Sequence, residues 1–134
     1  MTDNVRRVQR ERILSLLYEA EMKGTSVDEV LAELPAQPES FVLDAARGVT
    51  SSVPELDTLI ERFAISWSTD RMAAIDRTVL RIATWELLNR PDTSVAVVIS
   101  EAIELAKRFS TEESGKFVNG ILASVAEEVR NKPS

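Results

Sequence analysis

The stretch that decides the fold is Glu101-Ala-Ile-Glu-Leu-Ala-Lys-Arg-Phe-Ser-Thr-Glu-Glu-Ser-Gly-Lys-Phe-Val-Asn-Gly-Ile-Leu122. Its first half repeats apolar residues at i, i+3, i+4 and i+7, the spacing of a buried helical stripe: Ala102, Leu105, Ala106 and Phe109. A second stripe with helical spacing begins in the other half and runs past its end: Val118, Ile121, Leu122, Val125 and Val129. The stretch therefore predicts two consecutive amphipathic helices.

A short polar joint, residues 110–114, separates these two helices. Thr111 suits the N-cap position, because a threonine hydroxyl accepts a hydrogen bond from a backbone N–H of the first turn. Glu112 and Glu113 then fall in the first turn, where negative charge suits the positive end of the helix dipole. The joint thus ends one helix and starts the next.

Composition limits both the fold and the chemistry. The 134 residues are 44% apolar, enough for one domain, residues 1–134, around a single core. Four glycines and five prolines are too few for a β-protein with many turns. The chain has no cysteine and no histidine, which excludes disulfides, Cys/His zinc sites, Ser-His-Asp triads and Cys–His nucleophiles.

Helical patterns cover almost every segment and predict an all-α fold. Gly24 suits the C′ end of the first helix, Ser26 opens a capping box, and Pro54 suits the first turn of the fourth helix. Residues 95–99 are β-branched enough for a strand, but no second strand exists to pair with them, so we assign them to the sixth helix. We expect seven helices, at about residues 4–23, 26–34, 39–51, 54–66, 72–89, 95–109 and from 112 onwards.

Charge is unevenly distributed along the chain, whose net charge is −6. Residues 4–12 carry four arginines against Glu11, whereas residues 24–66 carry eight acids against two arginines. This asymmetry favours two different contact surfaces. The N-terminus lacks the apolar run of a signal peptide, and the longest wholly apolar run, residues 95–99, is far short of a membrane span. We therefore expect a soluble, cytoplasmic protein that does not contact a membrane.

Three arginines of the first helix are candidates for binding phosphates. Arg6, Arg7 and Arg10 fall within an arc of about 100° on an ideal helix, and guanidinium groups grip phosphates bidentately. The alternative is a solvated face with pairs such as Arg7 with Glu11 at i, i+4. The charge pattern by itself favours the solvated face.

Aromatic and basic residues bracket the joint of the last two helices. Phe109 ends one helix, Phe117 lies early in the next, and Lys107, Arg108 and Lys116 accompany them. Aromatic rings beside cations form stacking platforms for unpaired bases. Both rings also fit the apolar stripes, which favours the core; a rim position would satisfy both interpretations.

The remaining charged pairs have simpler explanations. Adjacent carboxylates on a helix diverge by about 100°, so the Glu-Glu pairs at 112–113 and 127–128 do not converge on a reacting atom. Asp76 and Arg77 are most simply an exposed helix start. The chain has no glycine-rich phosphate loop and no nucleophile elbow. The sequence therefore predicts a protein that is not an enzyme and has no metal or cofactor.

Three blocks of sequence resemble the NusB family of transcription antitermination factors. The 101–122 stretch, above all Lys116-Phe-Val-Asn-Gly120, resembles the signature region of that family. Arg6-Arg-Val-Gln-Arg-Glu11, followed by Leu17-Tyr-Glu19, is similar to its arginine-rich first helix. Thr78-Val-Leu-Arg-Ile-Ala-Thr-Trp-Glu-Leu87 is similar to its central helix. The matches occur in the same order over nearly the whole chain.

The resemblance implies a fold and a function. It implies seven helices in two small bundles, and binding to boxA, a single-stranded RNA element of ribosomal RNA leader transcripts. It further implies joint action with NusE, a protein of the small ribosomal subunit, in a complex that joins elongating RNA polymerase. Neither catalysis nor a cofactor is implied.

The resemblance also implies roles for individual residues. The RNA surface combines three arginines of the first helix with residues of the joint, and Tyr18 is a further candidate: Arg6, Arg7, Arg10, Phe109, Glu113, Lys116 and Phe117. The NusE surface includes Asp76 and its neighbour Arg77. Close approach of another helix is the expected reason for Gly120 inside a helix. Ser100, Ser110 and Glu113 depart from the usual Asn, Gly and Asp of the family.

Two alternatives remain open at this stage. The fold also serves as an RNA-binding module of ribosomal RNA methyltransferases, which would need a cofactor-binding domain after residue 134. A self-associating bundle, in which a homodimer occludes the RNA surface, is the other alternative. Native mass measurement with and without boxA RNA separates the homodimer from the RNA-binding monomer.

Overall fold

The structure is a computed structural model that describes residues 2–65 and 68–130. Seven α-helices account for most of these residues, and the prediction of an all-α fold is confirmed. A 3₁₀ turn, Thr69–Arg71, lies between the fourth and fifth helices. The helices are α1 (Thr2–Lys23), α2 (Val27–Ala32), α3 (Ser40–Ser51), α4 (Val53–Phe63), α5 (Ala74–Asn89), α6 (Val95–Phe109) and α7 (Glu112–Arg130).

Helix α5 is the centre of the fold. It packs against α6 and α7, which form a helical hairpin, and these three helices make one bundle. On its other side α5 contacts α1 and α3, which pack together with the short α2. Helix α4 packs on both α5 and α7 and so joins the two groups. The predicted arrangement of two small bundles around one continuous core is confirmed.

The predicted helix ends with a specific chemical signal are confirmed. Gly24 has φ +66°, the left-handed conformation that ends α1 at low cost. The Ser26 hydroxyl accepts a hydrogen bond from the Glu29 amide at 3.1 Å and caps α2. Thr111 Oγ1 accepts one from the Ser114 amide at 2.9 Å and caps α7. Residues 95–99 are helical, as predicted, behind Ser94 as N-cap.

Four predicted helix bounds were wrong by two or three residues, the first being the start of α1, at Thr2 rather than residue 4. Helix α2 ends at Ala32 rather than residue 34, because residues 33 and 34 continue in 3₁₀-type hydrogen bonds. Helix α4 ends at Phe63, before the predicted residue 66, which lies outside the described residues. Helix α5 begins at Ala74 rather than residue 72, because the 3₁₀ turn is followed by extended backbone at Met72.

The prediction for Gly120 was wrong. A Cβ built on Gly120 would meet nothing within 4 Å, so no helix approaches it. The close approaches occur at two other glycines. A Cβ on Gly48 would lie 2.3 Å from Nε1 of Trp85, and one on Gly115 would lie 2.6 Å from Cγ of Lys107. Gly48 therefore lets α3 and α5 pack around a tryptophan ring.

The C-terminal end of α7 ties down the loop between α5 and α6. Arg130 donates from Nε to the Leu87 carbonyl at 2.7 Å and from Nη2 to the Arg90 carbonyl at 2.9 Å. Its Nη1 donates to the Thr93 carbonyl at 3.1 Å. These carbonyls lie at the end of α5 and in the loop that follows, where no intrahelical N–H is available to donate to them. Within the described ranges, no helix is both long and apolar enough to cross a membrane.

Candidate nucleic-acid interface

The three arginines of α1 have three different environments. Arg6 lies 3.9 Å above the centroid of the Phe41 ring and donates to Gln9 Oε1 at 2.7 Å. Stacking on an aromatic face is typical of a guanidinium, which is weakly hydrated and planar. The side chain of Arg6 is exposed, so this stacking leaves part of the guanidinium group facing solvent.

Arg7 forms a bidentate pair with Glu101 on α6. Its Nε lies 3.0 Å from Oε1 and its Nη2 lies 2.8 Å from Oε2. The Arg7 side chain is 48% exposed, whereas that of Glu101 is 12% exposed. The hydrogen bond and the charge of Glu101 raise the pKa of Arg7, and the hydrogen bond from Arg7 lowers the pKa of Glu101. A phosphate that reaches Arg7 must therefore compete with a carboxylate already in place.

Arg10 forms a bidentate pair in the interior with Glu86 of α5. Both N–H···O distances are 2.9 Å, and the two side chains are 4% and 2% exposed. A guanidinium in this position lies beneath the surface, and its two donating nitrogens are occupied by the carboxylate. Arg10 is thus placed to fix the position of α1 on α5, and its predicted contact with RNA stays a prediction.

Two interhelical ion pairs connect α1 with α6. The predicted alternative, a pair between Arg7 and Glu11 within α1, is not what the structure shows: Glu11 pairs instead with Arg108 of α6. The second pair, Glu11–Arg108, lies further along both helices than the first, Arg7–Glu101, so α1 and α6 point in the same general direction. The basic start of α1 is thereby connected, along α6, to the joint before α7.

Phe109 and Phe117 lie at the rim of the core. This position satisfies both interpretations of the aromatic pair, as core residues and as a stacking platform. Phe109 is 44% exposed, although it lies on the apolar stripe of α6, and Phe117 is half-buried against the core. The Arg108 guanidinium lies 5.2 Å from the centroid of the Phe109 ring. Lys116 and Glu113 are exposed neighbours on α7, with Nζ and Oε1 3.4 Å apart. The joint therefore presents an aromatic ring and cations to solvent.

A cavity of about 510 Å³ lies between the start of α1 and the start of α6. Its lining combines the three arginines with the loop and first turns of α6: Arg6, Arg7, Arg10, Asp92, Thr93, Ser94, Val97, Ser100 and Glu101. The unpaired amides at a helix N-terminus carry partial positive charge, which adds to that of the arginines. Asp92 and Glu101 add negative charge to the same lining, so the cavity is lined by both positive and negative groups.

The prediction that Asp76 and Arg77 form an exposed helix start was wrong. Asp76 is 8% exposed, and its Oδ2 accepts a hydrogen bond from the Ser114 hydroxyl at 2.9 Å. Arg77 is 13% exposed; it pairs with Glu21 near the end of α1 and donates to the Met72 carbonyl at 3.2 Å. Tertiary contacts from α1 and α7 cover this helix start, which sequence periodicity does not report.

Tyr18 lies near this covered helix start rather than near the other candidates on α1. It is 37% exposed and precedes Glu21 by one helical turn. Since Glu21 pairs with Arg77, Tyr18 belongs to the end of α1 that meets the start of α5. Eleven residues separate it from Arg7, about 16 Å along a helix axis. Its predicted contact with RNA stays a prediction.

Sequence reasoning missed the acidic partners of the arginines and the hydrogen bond from Ser114 to Asp76. Glu86 sits on the helix that resembles the central helix of the family, but nothing local marks it as buried. Glu101 and Ser114 lie inside the signature region, but their partners are distant in sequence. Glu101 contacts Arg7 and Ser114 contacts Asp76 only in the folded chain. Among the described residues, no group of three or more acidic side chains is arranged to hold a metal ion.

Comparison with known proteins decides the family. The model of the NusB family matches residues 7–127, nearly the whole chain. The chain belongs to the NusB family. Transcription antitermination protein NusB of Sorangium cellulosum is 42% identical over 124 residues, covering 88% of this chain and 89% of that protein. NusB of Kineococcus radiotolerans is 40% identical over 126 residues, with coverage of 91% and 93%.

Solved structures of the NusB family share the fold. A crystal form of T. maritima NusB superposes with a TM-score of 0.83 at 39% identity and covers 92% of this chain and 91% of its own. A structure of the antitermination factors NusB and NusE in complex with dsRNA matches with a TM-score of 0.78 at 24% identity, covering 92% and 96%. At that identity the second likeness concerns the fold alone.

Proposed function

We propose that this chain is a transcription antitermination factor that binds single-stranded boxA RNA together with NusE, as part of a complex with elongating RNA polymerase. Membership of the NusB family supports the antitermination role, since the relatives compared above are antitermination proteins. The observation that supports the RNA proposal is that two ion pairs connect α1 with α6, Arg7 with Glu101 and Glu11 with Arg108. They bring the arginine-rich helix close to the helix that ends at the signature joint, although the two are almost a hundred residues apart in sequence.

The roles on this surface follow from exposure and chemistry. Arg7 and Arg6 are exposed and bind phosphate groups, with Arg7 exchanging its carboxylate partner for a phosphate. Phe109 offers its exposed ring for stacking on a base, with Arg108 beside it. Lys116 neutralises a further phosphate. Arg10 acts from beneath the surface by holding α1 in place.

Glu113 and Phe117 complete the RNA surface on the first turns of α7. Glu113 is an acid beside RNA, and a carboxylate there accepts hydrogen bonds from base amino groups. Phe117 is half-buried, so only its outer edge reaches a base while the rest of the ring packs on the core. The core side of the ring fixes its orientation, and that rigidity favours one geometry of contact with the base.

The proposed NusE surface lies beside the start of α5, at the part that α1 and α7 leave uncovered. A groove of about 270 Å³ opens there, lined by Arg71, Met72, Ala73, Asp76 and Phe117. Apolar side chains with one acid and one base are the composition expected of a protein contact rather than of a phosphate site. Tyr18, at the end of α1 that carries Glu21, stays a candidate for contact with RNA.

The test is the salt dependence of boxA binding by Arg7→Ala, measured by fluorescence anisotropy of a labelled boxA oligonucleotide. Loss of one phosphate contact should weaken binding and make the slope of log K against log salt shallower by about 0.7. Arg47→Ala is the matched control, because Arg47 is also exposed and pairs with an acid, Asp28, but lies on α3. Thermal unfolding checks that both variants fold.

Three results would contradict the proposal. If Arg7→Ala bound boxA RNA as tightly as the parent at every salt concentration, the assignment of Arg7 to the RNA surface would be wrong. If a scrambled RNA bound the parent as tightly as boxA RNA, binding would not be specific for the boxA sequence. A native mass equal to that of a dimer, unchanged by boxA RNA, would favour the self-associating bundle instead.

A further inference from the structure

One arginine at the end of α7 holds the loop between α5 and α6 by its backbone carbonyls. Arg130 donates to the carbonyls of Leu87 at 2.7 Å, Arg90 at 2.9 Å and Thr93 at 3.1 Å, and makes a longer contact of 3.5 Å with that of Glu86. A guanidinium carries five N–H donors in a rigid plane, so it can serve several carbonyls at once. Residues 90–94 are thus tied to α7, a helix that the loop does not adjoin in sequence.

The same loop forms part of the wall of the cavity of about 510 Å³. Asp92, Thr93 and Ser94 line the cavity from the loop, together with the arginines of α1. Within the loop, the Thr93 amide donates to the Arg90 carbonyl at 3.0 Å, which is a local turn. Ser94 then caps the start of α6. The bonds from Arg130 therefore connect this part of the wall to a helix that packs in the core.

The loop also reaches the aromatic ring on which Arg6 stacks. The Arg90 guanidinium lies 5.1 Å from the centroid of the Phe41 ring and 5.1 Å from that of Trp85. Arg6 lies 3.9 Å from the same Phe41 centroid. Because Arg130 holds the carbonyl of Arg90, a shift of the loop would move Arg90 against the ring that supports Arg6. The loop therefore borders both the cavity and the support of an exposed arginine.

We propose that Arg130 is a positioning residue for RNA binding, which sets the loop of residues 90–94 in the place that RNA requires. This inference rests on the proposed function. A phosphate bound by Arg7 lies at the cavity, since Arg7 lines it, so the loop bounds the space open to the adjoining nucleotide. A wall that is already fixed loses little conformational freedom on binding, and this preorganisation raises affinity. Arg130 acts through the loop, because backbone carbonyls engage all three of its nitrogens.

The experiment compares Arg130→Met with the parent by fluorescence anisotropy of the labelled boxA oligonucleotide. Methionine keeps an aliphatic stem but has no N–H donor, so the loop loses these bonds to α7. We expect boxA affinity to fall about two- to tenfold, the effect of one further side chain that must be ordered on binding. The slope of log K against log salt should stay that of the parent, since no phosphate contact is lost.

Hydrogen exchange measured by mass spectrometry follows the loop directly. In Arg130→Met the amides of residues 92–98 should exchange faster than in the parent. Arg62→Met is the matched control, because it also removes a cation paired near the end of α7, with Glu128 at 3.1 Å, but it joins α7 to α4 rather than to the loop. Its boxA affinity and loop exchange should match the parent. Arg130→Lys keeps the charge and fewer donors, should give intermediate values, and serves as the test variant if Arg130→Met does not fold.

Several results would overturn this inference. If the loop of Arg130→Met exchanged faster but boxA affinity stayed that of the parent, the position of the loop would not matter to RNA. If affinity fell with a salt slope shallower by about 0.7, Arg130 would contact a phosphate itself. Unchanged exchange in the loop would show that Arg130 does not hold it, and an equal loss of affinity in Arg62→Met would assign the effect to charge. A parent without affinity for boxA RNA refutes the proposed function itself.

Discussion

The buried pair of Arg10 and Glu86 makes the most decisive prediction. Arg10→Met removes the cation and both hydrogen bonds, and leaves a carboxylate that is 2% exposed without its partner. Breaking a buried ion pair in this way costs about 3–5 kcal/mol of the free energy of unfolding. Unfolding entropy of about 2.1 cal/mol/K per residue converts this to a Tm lowered by roughly 10–18 °C.

The matched experiment is the double variant Arg10→Met/Glu86→Leu. It replaces both charges by apolar side chains of similar volume, so no buried charge is left unpaired, and we expect most of the lost stability to return. Circular dichroism during thermal and urea unfolding measures all three proteins, including the parent. The double variant then provides a stable fold in which Arg10 is absent, and its affinity for boxA RNA can be measured directly.

Two results would refute this reasoning. A Tm of Arg10→Met within about 3 °C of the parent would show that Glu86 is not left as an uncompensated buried charge. Loss of boxA affinity in a stable double variant, with a salt slope shallower by about 0.7, would show that Arg10 contacts a phosphate. Unchanged boxA affinity would instead assign Arg10 to holding α1 on α5.

Other predictions concern Glu101, which pairs with the exposed Arg7, and two glycines. Glu101→Gln should raise boxA affinity about two- to fivefold at low salt, measured by anisotropy, because Arg7 no longer needs to exchange a carboxylate for a phosphate. Gly120→Ala should raise the free energy of unfolding by about 0.5–1 kcal/mol in urea, since a Cβ there meets nothing within 4 Å. Gly48→Ala should lower it by about 2–3 kcal/mol, because its Cβ would overlap the rigid Trp85 ring.

Each of these predictions has a control within the chain. Glu127→Gln removes one negative charge from an exposed position of α7 and should raise boxA affinity less than Glu101→Gln does. Weaker binding by Glu101→Gln would mean that Glu101 holds Arg7 in its binding geometry rather than competing with RNA. A loss of stability in Gly120→Ala equal to that in Gly48→Ala would contradict the finding that Gly120 has open space around it.

Local sequence predicted the helices well because their signals lie within a few residues of each other. The Thr111 cap, the Gly24 end and the helical assignment of residues 95–99 all depend on neighbours at most four positions away, and all three are confirmed. The start of α5 was placed two residues early, since the extended backbone at Met72 follows from a 3₁₀ turn that periodicity does not detect.

The apolar stripes were predicted with the same success, apart from their ends. Ala102, Leu105 and Ala106 are buried as the spacing requires, whereas Phe109 lies at the last position of α6 and is 44% exposed. A residue at a helix end has no following turn to cover it, so the stripe reaches the surface there. This is how one aromatic ring belongs to the pattern of the core and still faces solvent.

The sequence by itself determined the all-α fold, the order of the helices and, through resemblance, the NusB family. It also placed candidate arginines on one side of α1, because helical geometry alone sets which residues share a face. It did not determine what those arginines contact. Arg10 meets Glu86 across 76 positions, and Arg7 meets Glu101 across 94. Only tertiary packing brings such residues together, so only the folded chain separates the buried arginine from the exposed one.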